Sequence, residues 1–151
     1  MNYIREAENY LYHYRDMKKS LDRLEKQISE LVAKAGPKDL KAIALDATGI
    51  RNTQQDEAIN ILYQLQVLIE NKKRTEEKLK EIDKILDSIS KDEGCELYGK
   101  VLRKWYIEQM PKEEIAEQIG YSSRTSIYTI RARAIRKLAV QLFGIGAVED
   151  L

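Results

Sequence analysis

EEIAEQIGYSSRTSIYTIRARAIRKL, Glu113–Leu138, divides at a glycine. Before Gly120, Ile115, Ala116 and Ile119 recur at helical spacing and should face inward. Glu113 and Glu114 fall in the first turn, where acids suit the positive end of the helix dipole. Pro111, just ahead, is tolerated at a helix start because its missing N–H has no bond to make there. Beyond Gly120 a second helix is expected from about Ser122 to Arg124, with serine as its N-cap. A short helix, a glycine turn and a second helix make the outline of a helix-turn-helix.

The charge changes at the same glycine. Ile119–Leu138 carries Arg124, Arg131, Arg133, Arg136 and Lys137 and not one acid, in a chain whose formal net charge is only +1. At 100° per residue, Ile127, Ile130, Ala134 and Leu138 point inward, with Ile135 at the edge. Thr125, Thr129, Ala132 and Arg136 point outward, flanked by Ser126, Tyr128 and Arg133. A small, polar, acid-free surface of this kind fits the major groove of double-stranded DNA. Bases there add affinity by releasing counterions, while an acid would lie against phosphate. Arg133, Arg136 and Lys137 lie mostly beyond the first turns and are expected to hold phosphates. Arg131 lies near the buried side of the wheel, so it either meets DNA or bridges to Glu114 or Glu117.

Upstream, CELYGKVLRKWYIEQM places Leu97, Val101 and Trp105 on one line, with Tyr98, Leu102 and Tyr106 one residue along. That broad apolar face suits the central helix of a small bundle. The module from Gly94 onward is expected to draw its own core from Leu97, Val101, Trp105, Ile115, Ile119, Ile127 and Leu138.

Further upstream the pattern is that of two long amphipathic helices. Ile4, Ala7, Leu11, Tyr14, Met17, Leu21, Leu24, Ile28 and Leu31 recur at steps of three and four up to Gly36 and Pro37, which end the helix. Residues 38–53 read as a connection. A second helix should begin near Thr53 or Gln54, with a stripe through Ile61, Leu65, Leu68, Lys72, Thr75, Leu79, Ile82, Leu86 and Ile89. Lys72 and Thr75 are polar interruptions of the kind that can set register. The expected fold is therefore all-α: a long N-terminal helical hairpin or coiled coil over residues 1–93, then a small helix-turn-helix bundle over residues 94–151. Association in trans, as a homodimer through the N-terminal helices, competes with the hairpin. Tyr3, Tyr10, Tyr12 and Tyr14 could stack on bases, but three of them lie near the apolar stripe, which favours packing.

Composition narrows the functional classes. There is one cysteine, Cys95, and one histidine, His13, so neither a disulfide nor a multi-cysteine metal cluster is expected. No glycine-rich phosphate loop, nucleophile triad or zinc-binding helix motif is present. The carboxylates alternate with lysine and arginine at helical spacing, as on solvated helix faces. An enzyme, a cofactor or a metal is not expected. No apolar run is long enough to span a bilayer, and none resembles a signal peptide, so a cytoplasmic protein with no membrane partner is expected.

The stretch quoted above resembles region four of bacterial sigma factors, the helix-turn-helix that reads an upstream promoter element. The likeness lies in EIAEQIG and in the periodicity of RTSIYTIRARAIRKL, and covers about Leu97 to Leu142, with one extra turn residue at Ser122–Ser123. The whole chain is similar to the ArpU/RinA-like phage and prophage transcriptional regulators of Gram-positive bacteria, through its long N-terminal helices, GIRNTQQDEA and YIEQMPKEEIAEQIGYSSRTSIY. The resemblance implies an activator of phage late or packaging genes. It implies that Arg124, Thr125 and Thr129 approach bases while Tyr128 and Arg133 hold the backbone. Thr125 is neutral where a sigma factor often carries charge, so the same target does not follow. Two other classes remain open. One is a DNA-packaging component like a small terminase subunit, which would form rings. The other is a sigma-like protein that acts through RNA polymerase or a host partner without binding DNA.

Overall fold

The structure, a computed structural model, describes residues 2–35, 53–120 and 124–151, with side chains for all of these except 53–55, 124 and 125. The expected break at Gly36 and Pro37, residues 38–52 of the connection expected over 38–53, and the expected serine N-cap lie outside the described residues. The chain is all-α, and no strand occurs among the described residues.

The first helix, α1, spans Tyr3–Ala35. Asn2 caps it: the Asn2 Oδ1 accepts from the Arg5 N–H at 3.0 Å, which satisfies one of the donors that a helix start leaves open. A second is taken from far along the chain, where the Tyr3 N–H donates to Asp150 Oδ2 at 2.8 Å. The second long helix, α2, spans Thr53–Ser90, starting where the stripe predicts.

The contacts divide the chain into two compact units, one of Met1–Asp16 with Leu79–Leu151 and one of Met17–Lys78. The expected division near residue 93 follows sequence blocks. The contacts instead assign the first turns of α1 and the last turns of α2 to the same unit as everything after residue 93.

In the unit Met17–Lys78, the stripe residues Met17, Leu21, Leu24, Ile28 and Leu31 are half-buried and Ala35 is buried. On α2, Ala58 and Leu65 are buried, while Ile61 and Leu68 are half-buried. The polar interruptions are satisfied within their own helix. Thr75 Oγ1 donates to the Asn71 carbonyl at 2.7 Å, and Lys72 lies 3.8 Å from Glu76.

The other unit has a denser core. Ala7 and Leu11 of α1 and Ile82, Leu86 and Ile89 of α2 are fully buried. Each of the Leu and Ile side chains contributes about 1.5–3 kcal/mol by leaving water. Tyr14 O–H donates to both oxygens of Asp83, at 2.8 and 3.0 Å, so the first turns of α1 meet the last turns of α2. Asp83 also accepts from Arg103 Nη1 at 3.1 Å, and Arg103 Nη2 reaches Asp87 at 2.9 Å. The Tyr cluster of α1 packs: Tyr3 and Tyr10 lie against Phe143, and Tyr12 meets the Tyr106 ring edge-on at 4.8 Å.

Helix α3, Tyr98–Leu102, opens directly into a π turn over Arg103–Ile107. The Glu108 N–H donates back to the Arg103 carbonyl at 2.9 Å and the Met110 N–H to the Lys104 carbonyl at 2.9 Å. Gln109 takes a positive φ of 53° on the way out. Sequence periodicity predicts one regular helix here. The wider turn falls where Trp105 and Tyr106, neighbours in sequence, are both buried. Helix α4, Lys112–Ile119, has Pro111 at its N-cap and ends on Gly120 in the left-handed conformation, φ 91°. Helix α5, Arg124–Phe143, packs on α3, α4 and the last helix, α6, Ile145–Glu149.

Candidate functional site

Helix α5 turns one face inward. Ile127, Ala134, Ile135, Leu138 and Ala139 are buried, so Ile135 belongs to the core rather than to its edge. Ile130 is half-buried, as is Ile119 of α4, which the spacing placed inside. Opposite lies a surface of Thr129, Arg133 and Arg136, all exposed, with Ser126 half-buried beside them. No acid occurs on α5 itself. The backbone of α5 starts at Arg124, but the side chains of Arg124 and Thr125 lie outside the described residues.

Three side chains differ from the expected face or the expected partner. Ala132 is half-buried rather than outward. It lines a shallow hollow of about 180 Å³ with Ile4, Glu8, Arg131, Ile135 and Arg136, because the first turns of α1 run beside it. Lys137 is held by Asp92, Nζ to Oδ2 3.0 Å, at the end of α2. That contact raises the Lys137 pKa, with a further contribution from Cys95. Lys137 is thus tied within the chain at a position from which a phosphate contact was expected.

Arg131 turns inward, and not to Glu114 or Glu117. Its Nη1 donates to the Tyr106 hydroxyl at 3.1 Å. Its guanidinium lies 4.9 Å from the centre of the Trp105 ring and 6.0 Å from that of Tyr128. Its Nε is fully buried and has no hydrogen-bond partner in the structure. Burial pulls the Arg131 pKa down, but the Tyr106 hydroxyl and the field of Glu8 outweigh it, and the net shift is upward. A hydrogen bond to a charged group contributes about 1.5–3 kcal/mol, and a partly desolvated cation on an aromatic face about 0.5–2 kcal/mol. Tyr128, partly exposed, stands edge-on to Trp105 at 5.0 Å and 80°. Lys112 Nζ lies 4.7 Å from the Trp105 ring centre. Lys104 Nζ donates to Gln118 Oε1 at 2.7 Å, joining the π turn to α4.

Sequence reasoning missed this cluster as a unit. Trp105 and Tyr106 read as core residues and Tyr12 as packing, and nothing in their spacing links them to Arg131. The one usable signal was the wheel angle of Arg131, which put a permanent charge on the buried side of α5 and so demanded a partner.

No group of histidine, cysteine, aspartate or glutamate with metal-binding geometry occurs among the described residues. No described helix is long and apolar enough to cross a membrane. The chain matches no protein-family model, no curated protein and no solved structure.

Proposed function

We propose that the chain is a sequence-specific, duplex-DNA-binding transcriptional regulator that presents α5 to the major groove. The observation that carries this reading is the face of Thr129, Arg133 and Arg136, exposed together on an acid-free helix that follows a left-handed Gly120 in helix-turn-helix order. Thr129 and the start of α5 approach base edges, with Arg124, Thr125 and Ser126 in the first turn. Arg133 and Arg136 hold phosphates, and Tyr128 stands at the border of the groove. The resemblance to ArpU/RinA-like regulators supports a phage or prophage activator of late or packaging genes, acting in the cytoplasm, with RNA polymerase as a partner. The two long helices supply the surface for that partner or for a second copy of the chain.

The test is selection of bound duplexes from fragmented genomic DNA, followed by footprinting and competition against random duplex. Thr129→Ala should cost about 1–3 kcal/mol at the selected site if it makes a good base contact. Absence of any salt-dependent duplex binding by the full chain would sink the reading. A ring of many subunits in sedimentation would point instead to DNA packaging.

A further inference from the structure

We infer that Arg131 is a positioning residue: it fixes how the recognition helix α5 is held against the π turn and α1, and it does not itself meet DNA. The inference deepens the DNA-binding reading and rests on it. Three elements converge on this one guanidinium. The π turn supplies the Tyr106 hydroxyl at 3.1 Å and the face of Trp105 at 4.9 Å. Helix α1 supplies Tyr12, edge-on to Tyr106 at 4.8 Å, and the negative charge of Glu8. Helix α5 supplies Tyr128, which leans on the same Trp105.

The chemistry of arginine explains why it serves here. The guanidinium is planar, so one face can lie on a ring while an edge N–H donates to a hydroxyl. Such a residue resists both sliding and rotation of the helix that carries it. A phosphate would have to compete with these contacts and reach a group whose Nε is already closed to solvent. The bases left for DNA are therefore on the other side of α5, at Arg133 and Arg136, and Arg131 sets where they and Thr129 stand. Direct base readout requires side chains in hydrogen-bond register with base edges. Phosphate attraction tolerates a displaced helix, because it acts over a Debye length of about 8–10 Å. Loosening Arg131 should thus lower discrimination far more than affinity for random sequence.

Full-length Arg131→Met, Arg131→Lys and Tyr106→Phe would be compared with the wild type in two assays. The first needs no DNA. Trp105 is the single tryptophan of the chain, so acrylamide quenching of its emission reports on this cluster alone. Quenching should rise in Arg131→Met and Arg131→Lys, and less in Tyr106→Phe, which removes only the hydroxyl. The second assay measures binding to the selected duplex and to a random duplex over a range of salt. Specific affinity should fall about tenfold in Arg131→Met, the size of one lost base contact, with random-duplex affinity and salt slope unchanged. Arg131→Lys should behave like Arg131→Met, because an ammonium cannot stack as a plane.

Rescue by lysine, or equal loss on both duplexes with the salt slope falling by about one, would make Arg131 a phosphate contact and overturn the inference. Unchanged quenching in all three variants would overturn it whatever DNA does. If Arg131→Met loses its helical circular dichroism, Tyr106→Phe decides. A wild type that binds no duplex would defeat the DNA-binding reading, while the quenching assay would still decide whether Arg131 anchors α5.

Discussion

Tyr14 and Tyr106 carry titratable hydroxyls into the core. Burial is the main reason that the pKa of each is pushed from 10.0 up to about 12. For Tyr14 the hydrogen bond to Asp83 acts in the same direction, while for Tyr106 the Arg131 guanidinium opposes it. A folded value above the unfolded one means that the native state holds its proton more tightly. The stabilisation is therefore complete below pH 10 and is lost as pH rises through about 12. Urea midpoints should be flat from pH 7 to 9 and fall above pH 10. Tyr14→Phe and Tyr106→Phe should each flatten that fall, and a wild-type midpoint that does not change up to pH 11.5 would contradict the assignment. The bases of α5 separate at the same scale. Arg133→Ala or Arg136→Ala should lower the salt slope of DNA binding by about one each if they hold phosphates. Lys137→Ala should lower it less, since Asp92 already lies 3.0 Å from its ammonium.

Among the elements, α2 and α3 approach closely at Gly99. The Gly99 N–H donates to Ser90 Oγ at 3.1 Å, and Ser90 in turn donates to the Leu86 carbonyl at 3.0 Å. A Cβ on Gly99 would overlap Ser90 Oγ and come to 2.7 Å from the Leu86 carbonyl oxygen, which is backbone and cannot turn away. Gly99→Ala should therefore cost about 1–3 kcal/mol through overpacking. Gly120→Ala meets no neighbour and should cost about 1 kcal/mol, through its left-handed φ alone. Urea titration of the two variants would rank them, and the reverse order would show that the α2–α3 crossing has slack.

What could be read in advance follows the same physics. Helix spacing reveals which face of an element is apolar, so α1, α2, α4 and α5 and most of the inward residues of α5 were legible. Spacing says nothing of the partner. Leu11 and Leu24 lie on one stripe of α1, yet Leu11 is fully buried and Leu24 only half-buried. The π turn was illegible because one extra residue in a turn leaves no mark on a short segment that is apolar on two adjacent lines. The true partner of Arg131 was hidden with it, since Tyr106 and Trp105 both belong to that turn.

For the molecule as a whole, the consequence is that residues 94–151 share their core with both long helices. The sequence reading lets that segment fold alone on Leu97, Val101, Trp105, Ile115, Ile119, Ile127 and Leu138. In the structure, Leu97 and Ile119 are only half-buried, while the same compact unit includes Ala7, Leu11 and Tyr14 from α1 and Leu79, Ile82, Ile85, Leu86 and Ile89 from α2, all buried. Cutting at residue 93 would strip those side chains away. At about 1.5–3 kcal/mol for each large aliphatic group, the loss is as large as the roughly 5–15 kcal/mol that holds an ordinary domain together. Fragment 94–151 should therefore show no cooperative melt by circular dichroism, and its binding to the selected duplex should fall to the level of random sequence. Leu11→Ala in the full chain tests the same point without cutting. It should cost about 2–5 kcal/mol, as a filled site becomes a cavity, and it should lower the midpoint of the transition reported by Trp105. Leu24→Ala, at a half-buried site in the other unit, should cost less and leave the Trp105 transition nearer the wild-type midpoint. A fragment 94–151 that melts cooperatively and binds its site as tightly as the full chain would show that α1 and α2 only decorate the DNA-binding unit.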